Sequence, residues 1–220
     1  MPLIEETLNL KTSSLTQLSE KAKNLIVFCH GYGSDGKDLI SIGSYWQRFL
    51  PEFYFTSPNA PNNCSINSLG FEWFDLMNNN EKDIARQLNS SILKLKDFID
   101  KKLEQLSLDY SKLFLVGFSQ GTMMSLHYAL TNFNQIKGVV GYSGKIYDKK
   151  LIEDNLKSRP FIFLMHGNED NIVPVEDMLE AKDFLNRLKI NVKTKIFKNC
   201  AHSIPTQGLS LGLEFINSLK

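Results

Sequence analysis

The chain has 220 residues, of which 42% are hydrophobic and 22% charged, with a formal net charge of +1. Such usage is globular and long enough to bury a sizeable core, and a charge so near zero excludes electrostatic capture of nucleic acid or an anionic membrane surface. The three cysteines, Cys29, Cys64 and Cys200, are odd in number and far apart, which argues against a disulfide framework and for a reducing compartment.

From the amino end, Met1 to Leu10 carries Glu5 and Glu6 and no long apolar stretch, so no secretory leader is expected. No later run is long enough to span a bilayer, and the expectation is a cytoplasmic protein without integral membrane association. Leu3-Ile4, Leu8 and Leu10, with a turn around Thr12-Ser13-Ser14, read as a short antiparallel start over residues 3–20. Leu25 to Cys29 is a continuous apolar run, the mark of a strand buried on both faces. A glycine-rich loop, His30 to Gly36, leads into a helix through Ile40 and Trp46. Phe53-Tyr54-Phe55 is a short strand, and a Pro/Asn-rich loop follows from Ser57 to Gly70. Ile84, Leu88, Ile92, Leu95 and Ile99 then mark one face of a helix over Glu81 to Leu106.

Leu113 to Val116 is again strand-like, and Thr122 to Leu130 is helix-compatible. Further strands are expected at Ile136 to Tyr142, Phe161 to Met165 and Val192 to Phe197. Helices are expected at Val175 to Leu188 and Gly208 to Leu219. Strands alternating with helices predict an α/β architecture around a mainly parallel sheet, in one domain over 1–220. The stretch between Tyr142 and Phe161 is too short for an inserted cap domain, so a site on the sheet edge is expected to be open.

Chemistry concentrates at Gly117-Phe118-Ser119-Gln120-Gly121, between a strand and a helix. That is the setting of a nucleophile elbow, in which a tight turn exposes a serine hydroxyl above the sheet. Gly117 and Gly121 leave room for the bend, and the N–H groups at the helix start favour developing negative charge.

Gly31-x-Gly33-x-x-Gly36 formally matches a dinucleotide fingerprint, which also requires an acid at the end of the next strand. That strand ends Phe55-Thr56-Ser57-Pro58, with no acid, so a nucleotide site is not expected. The competing reading is a loop whose backbone reaches over the nucleophile, so that the amides of Tyr32 and Gln120 form an oxyanion hole.

Ser119 needs a base. Of the four histidines, His30 precedes the serine, His127 lies mid-helix, and His166 closes a strand with little chain before it to hold an acid. His202, between the last strand and the last helix, is the best-placed base. The acid belongs in the loop after the strand at Phe161, where Glu169 and Asp170 both qualify. No i, i+4 histidine pair or Cys-x-x-Cys is present, so no metal is expected. Cys29 and Cys64 lack elbow glycines and read as buried or incidental.

With these residues assembled, the chain resembles the phospholipase/carboxylesterase family, the acyl-protein-thioesterase-like branch of the α/β-hydrolases. The resemblance runs from about Asn24 to the C-terminus. It rests on His30-Gly31-Tyr32-Gly33, Ser57-Pro58-Asn59-Ala60-Pro61, Trp73-Phe74-Asp75, the elbow, Tyr142-Ser143-Gly144 and His166-Gly167-x-x-Asp170-x-x-Val173-Pro174. It implies Asp170 rather than Glu169 as the acid, because the family's acid falls three residues after the glycine of the His-Gly pair. It also supports His202, followed by Ser203-Ile204, and suggests Trp73 as a pocket residue. Cys200 and Ala201 stand where the family usually has glycines, and Gly70-Phe71-Glu72 also departs from its pattern.

The implied function is hydrolysis of short-to-medium acyl esters, with lysophospholipids or S-acylated proteins as candidate substrates, by Ser119, His202 and Asp170 without a cofactor. The resemblance further implies pairing of two copies. The alternatives are thioester or amide hydrolysis by the same triad, or a non-catalytic binding protein on the same fold.

Overall fold

A computed structural model describes residues 22–220, so the antiparallel start expected at 3–20 lies outside the described residues. The strands are β1 (Asn24–Cys29), β2 (Phe53–Thr56), β3 (Asn62–Asn63), β4 (Phe71–Glu72), β5 (Leu113–Phe118), β6 (Gly138–Tyr142), β7 (Phe161–Gly167) and β8 (Val192–Phe197). The helices are α1 (Gly36–Trp46), α2 (Glu81–Leu106), α3 (Gln120–Thr131), α4 (Lys149–Asn155), α5 (Val175–Arg187) and α6 (Thr206–Leu219).

Six strands form one sheet in the order β2-β1-β5-β6-β7-β8, with every neighbouring pair parallel. The chain reverses its direction of travel across the sheet after β2, placing β1 and β5 side by side near the middle. Their carboxyl ends carry the glycine loop and the elbow. This is the edge at which ligands meet open α/β sheets.

The continuous apolar runs reflect helices on both faces. Because side chains alternate along a strand, Ile26 and Phe28 of β1 join a cluster with Trp46 of α1 and Phe215 and Ile216 of α6. Leu25, Val27 and Cys29 face the other way, into a cluster built from α2, α3 and α5. Helix α3 lies so deep that Gln120 through Leu130 are all buried. Helix α2 starts at Asn80, whose side-chain oxygen accepts from the N–H groups of Lys82 and Asp83, and such a cap contributes about 1 kcal/mol.

Helix α4 and strands β3 and β4 have no counterpart among the expected elements. Helix α4 is the connection between β6 and β7, and no cap domain is inserted there. Strands β3 and β4 form a small antiparallel hairpin inside the loop 57–80.

Candidate active site

Ser119 closes the turn between β5 and α3 with φ 53° and ψ −118°. That is a strained conformation for a residue with a side chain, of order 1–3 kcal/mol, which persists only where the surroundings impose it. They do so through close backbone packing. A Cβ on Gly121 would lie 1.8 Å from the Cys29 carbonyl oxygen, and one on Gly117 would lie 2.5 Å from the Gly121 backbone. Helix α3 can therefore sit this close to β1 and β5 only with glycine at both positions. The Ser119 N–H donates to the Tyr142 carbonyl at 2.9 Å, and the Thr122 hydroxyl donates to the same oxygen. A Cβ on Gly144 would collide with Thr122, so Tyr142-Ser143-Gly144 forms the wall of the elbow.

The glycine loop runs directly over the serine: a Cβ on Gly31 would lie 3.4 Å from Ser119 Cβ. His30 is buried behind it with Nδ1 donating to the Gly31 carbonyl at 2.8 Å and Nε2 accepting from the Ala60 N–H at 2.9 Å. Burial holds its imidazole below the usual histidine range, as an accepting nitrogen requires. Gly33, at φ 74°, pairs with Phe71 of β4, and the Asn67 side chain donates to the Gly33 carbonyl. The β3–β4 hairpin thus clamps the loop. The amides of Tyr32 and Gln120 have no acceptor among the described residues, and the latter is the first turn of a helix with an orphan N–H.

Trp73 corrects the expectation of a pocket-lining side chain. It is wholly buried, and its indole Nε1 donates to the His30 carbonyl at 3.0 Å. It braces the glycine loop from beneath and offers no surface to a substrate. Gln120 carries a second duty that sequence reasoning missed. Its Oε1 accepts from the Trp73 N–H at 3.0 Å and its Nε2 donates to the Phe74 carbonyl at 2.6 Å.

At the carboxyl end of β7, Asp170 is buried while Glu169 is exposed. Asp170 Oδ1 accepts from the N–H groups of Ile172 at 3.0 Å and Val173 at 2.9 Å. Its Oδ2 faces Nδ1 of His202 at 2.7 Å. Burial alone would raise this carboxyl, but the Val173 N–H, the His202 imidazole and the Ile172 N–H together hold it below the usual carboxylate range. The loop carrying His202 is clamped to the loop carrying Asp170. The Glu169 N–H donates to the Cys200 carbonyl, and a Cβ on Gly167 would lie 2.1 Å from that oxygen. With Cys200 and Ala201 in place of glycines, the backbone still closes, the left-handed turn falling at Asn199 (φ 52°).

The His202 ring packs on Phe118, the residue before Ser119, at 4.9 Å between centroids. The Ser119 hydroxyl makes no hydrogen bond among the described residues, a looseness common in unliganded sites.

The remaining reactive groups fall elsewhere. His127 is buried, with Nδ1 donating to the Met123 carbonyl and Nε2 accepting from the Asp148 N–H. Burial pushes the Cys29 thiol up to about 12, unsuited to a nucleophile. All three cysteines are unpaired. Among the described residues no cluster of three or more His, Cys, Asp or Glu could hold a metal, and no helix is long and apolar enough to cross a membrane.

Comparison with known proteins identifies the family. The family model described as phospholipase/carboxylesterase matches residues 11–220. Acyl-protein thioesterase 1 of Emericella nidulans is 30% identical, over 81% of this chain and 82% of its own length. Acyl-protein thioesterase 1 of Schizosaccharomyces pombe is 28% identical, over 88% and 90%. Among solved structures, esterase PE8 superposes with a TM-score of 0.87 at 34% identity, covering 92% of this chain and 95% of that one. With its elbow, its parallel sheet and these relatives, the chain belongs to the phospholipase/carboxylesterase family of α/β-hydrolases and is a hydrolase.

Proposed function

We propose that this chain hydrolyses carboxylic esters of small-molecule or lipid substrates through a Ser119–His202–Asp170 triad and an acyl-enzyme intermediate. The observation that carries the reading is the 2.7 Å contact between His202 Nδ1 and Asp170 Oδ2, with the imidazole packed against the residue before Ser119. With Nδ1–H committed to the carboxylate, Nε2 is the free base. It takes the proton as Ser119 Oγ attacks the carbonyl carbon, and returns it to the departing alcohol. The tetrahedral oxyanion is received by the Tyr32 and Gln120 amides, each contributing about 10²–10³ in rate. Water then attacks the acyl-serine by the same route, releasing the acid and restoring Ser119.

The test is hydrolysis of a nitrophenyl ester together with labelling by a fluorophosphonate probe, both lost in Ser119→Ala. Equal labelling of that variant would overturn the assignment.

Thioester hydrolysis is the second reading, favoured by the acyl-protein thioesterases among the relatives. A thiolate, the conjugate base of a group with pKa about 8.5, leaves with less help from His202 than an alkoxide does. Kinetics on matched oxoester, thioester and amide substrates, run over an acyl-chain series that includes lysophospholipids, separate these readings.

A further inference from the structure

His166 stands behind the acid, and the mechanism above does not use it. Its side chain is wholly buried, and its Nε2 lies 2.7 Å from the Val173 carbonyl and 3.2 Å from Asp170 Oδ2. A carbonyl can only accept, so Nε2 carries a proton and donates it to Val173 O, with the carboxylate oxygen beside it at 3.2 Å. The other nitrogen, Nδ1, is buried with no partner among the described residues, so every polar contact of this ring is made at Nε2. Leaving a buried polar atom unmatched is unfavourable, and an apolar side chain would fill the same space without that cost. The imidazole is in a position where only its Nε2–H is of use.

The contacts close a ring. His166 donates to the Val173 carbonyl, the Val173 N–H donates to Asp170 Oδ1, and Asp170 Oδ2 pairs with His202 Nδ1 while lying 3.2 Å from His166 Nε2. The two carboxylate oxygens are therefore gripped from opposite sides, and the carboxyl plane is fixed relative to the His202 ring.

We propose that His166 is a positioning residue for the triad, acting through Asp170: its Nε2–H holds the Val173 carbonyl, and with it the turn whose N–H groups grip Oδ1, and sets an N–H dipole 3.2 Å from Oδ2, the oxygen that faces His202 Nδ1. This rests on the triad reading of the preceding section. The titratable groups that face His166 are Asp170 on the β7–α5 loop and, across that carboxylate, His202 on the β8–α6 loop. Its sheet partner on β8 is the uncharged Ile196. A carboxylate oxygen that also faces the positive end of a second N–H dipole is a weaker partner for an imidazolium than one that does not. Removing His166 leaves Oδ2 to His202 alone, which favours imidazolium and moves the acidic limb of the rate profile to higher pH.

The experiment compares wild type with His166→Phe, which keeps a planar ring but no donor, and His166→Gln, whose amide N–H reaches the place of Nε2. The expected result for His166→Phe is a roughly tenfold lower kcat with KM little changed. The acidic limb should move to higher pH, and His166→Gln should recover both. In an Asp170→Asn background His166→Phe should add nothing, because its only route to the site has gone. An unmoved acidic limb, or an equal loss of kcat in the Asp170→Asn background, overturns the proposal.

A measurement on unmodified protein keeps the test alive if His166→Phe does not fold. In proton NMR the His166 Nε2–H resonance should shift with the same midpoint as that of His202 Nδ1–H, and independence of the two overturns the coupling. Failure of the triad reading itself would appear separately, as probe labelling that survives Ser119→Ala.

Discussion

Asp170 Oδ2 and His202 Nδ1 stand 2.7 Å apart although 32 positions separate the residues in the chain. Two independent loops meet there, each clamped to the other by backbone contacts. Asp170→Asn keeps the size of the side chain but points an amide where the carboxylate accepted. The imidazole then favours the tautomer with its proton on Nε2, the nitrogen that must act as base. We expect kcat to fall by about 10³–10⁴ with KM little changed, measured on a nitrophenyl ester.

The same carboxylate makes stability depend on pH. Its folded pKa is depressed by the Val173 and Ile172 N–H groups and by His202, against the opposing effect of burial. The native state therefore binds fewer protons than the unfolded chain as this group titrates, and stability rises with pH there. The contribution is complete above the unfolded value of about 3.9 and is lost as pH falls through the folded value. The thermal midpoint of wild type should exceed that of Asp170→Asn by a margin that narrows as pH falls below ~4. A margin independent of pH would contradict the assignment of the shift.

Gly121 and Gly208 offer a contrast between two glycines in the first turns of helices. A Cβ on Gly121 would sit 1.8 Å from the Cys29 carbonyl oxygen, inside rigid backbone, whereas one on Gly208 would meet the Pro205 and Phe197 side chains at 3.3 Å and 3.4 Å. Gly121→Ala should cost about 3 kcal/mol or more, or prevent soluble expression. Gly208→Ala should stay within about 1 kcal/mol of wild type, because tight side-chain contact is offset by helix propensity. Urea midpoints at fixed m compare the two.

Most of the sheet was legible because its strands are buried on both faces and so read as unbroken apolar runs between turn glycines. The elbow was legible for a related reason: backbone packing at 1.8 Å leaves only glycine at Gly121. What escaped notice was held by distant partners. Helix α4, Lys-Lys-Leu-Ile-Glu-Asp-Asn, buries only Ile152 and so lacks a visible period. The β3–β4 hairpin has two-residue strands whose reason for pairing is the glycine loop, thirty or more positions away in the chain. Residue order alone left Asp170 and Glu169 equivalent. Their difference is burial, with Oδ1 of Asp170 aimed back at the Ile172 and Val173 amides. The resemblance suggested Trp73 for the pocket, but an indole fits a core as well, and its full burial and the Nε1 bond to the His30 carbonyl put it there.

The Gln120 side chain ties α3 to the segment Trp73–Phe74 through two buried hydrogen bonds. Gln120→Ala keeps the backbone amide proposed for the oxyanion but leaves the Trp73 N–H and Phe74 carbonyl unmatched. The expected cost is about 2–4 kcal/mol. That is roughly 4–16 °C in thermal midpoint for a domain of this size. Probe labelling should persist at temperatures where the variant remains folded. Loss of labelling in the folded variant would show that the side chain also governs the amide's aim.

Phe118 braces both halves of the site at once. Its ring lies 4.9 Å from that of His202, and its Cδ1 would be 3.3 Å from a Cβ placed on Gly31. The imidazole's Nδ1 is anchored by Asp170, but a single hydrogen bond leaves rotation about that contact free, and the Phe118 face limits it. Phe118→Ala should let Nε2 wander by about 1 Å, and displacement of that order costs roughly 10- to 100-fold in kcat. On the proposed mechanism KM should change little, because the ring packs on the proposed base and on the loop proposed to hold the oxyanion. Phe118→Leu restores most of the packing and should recover activity to within about tenfold of wild type. A loss seen mainly in KM would instead make Phe118 part of the substrate surface, and the steady-state parameters of the two variants on one ester distinguish these roles.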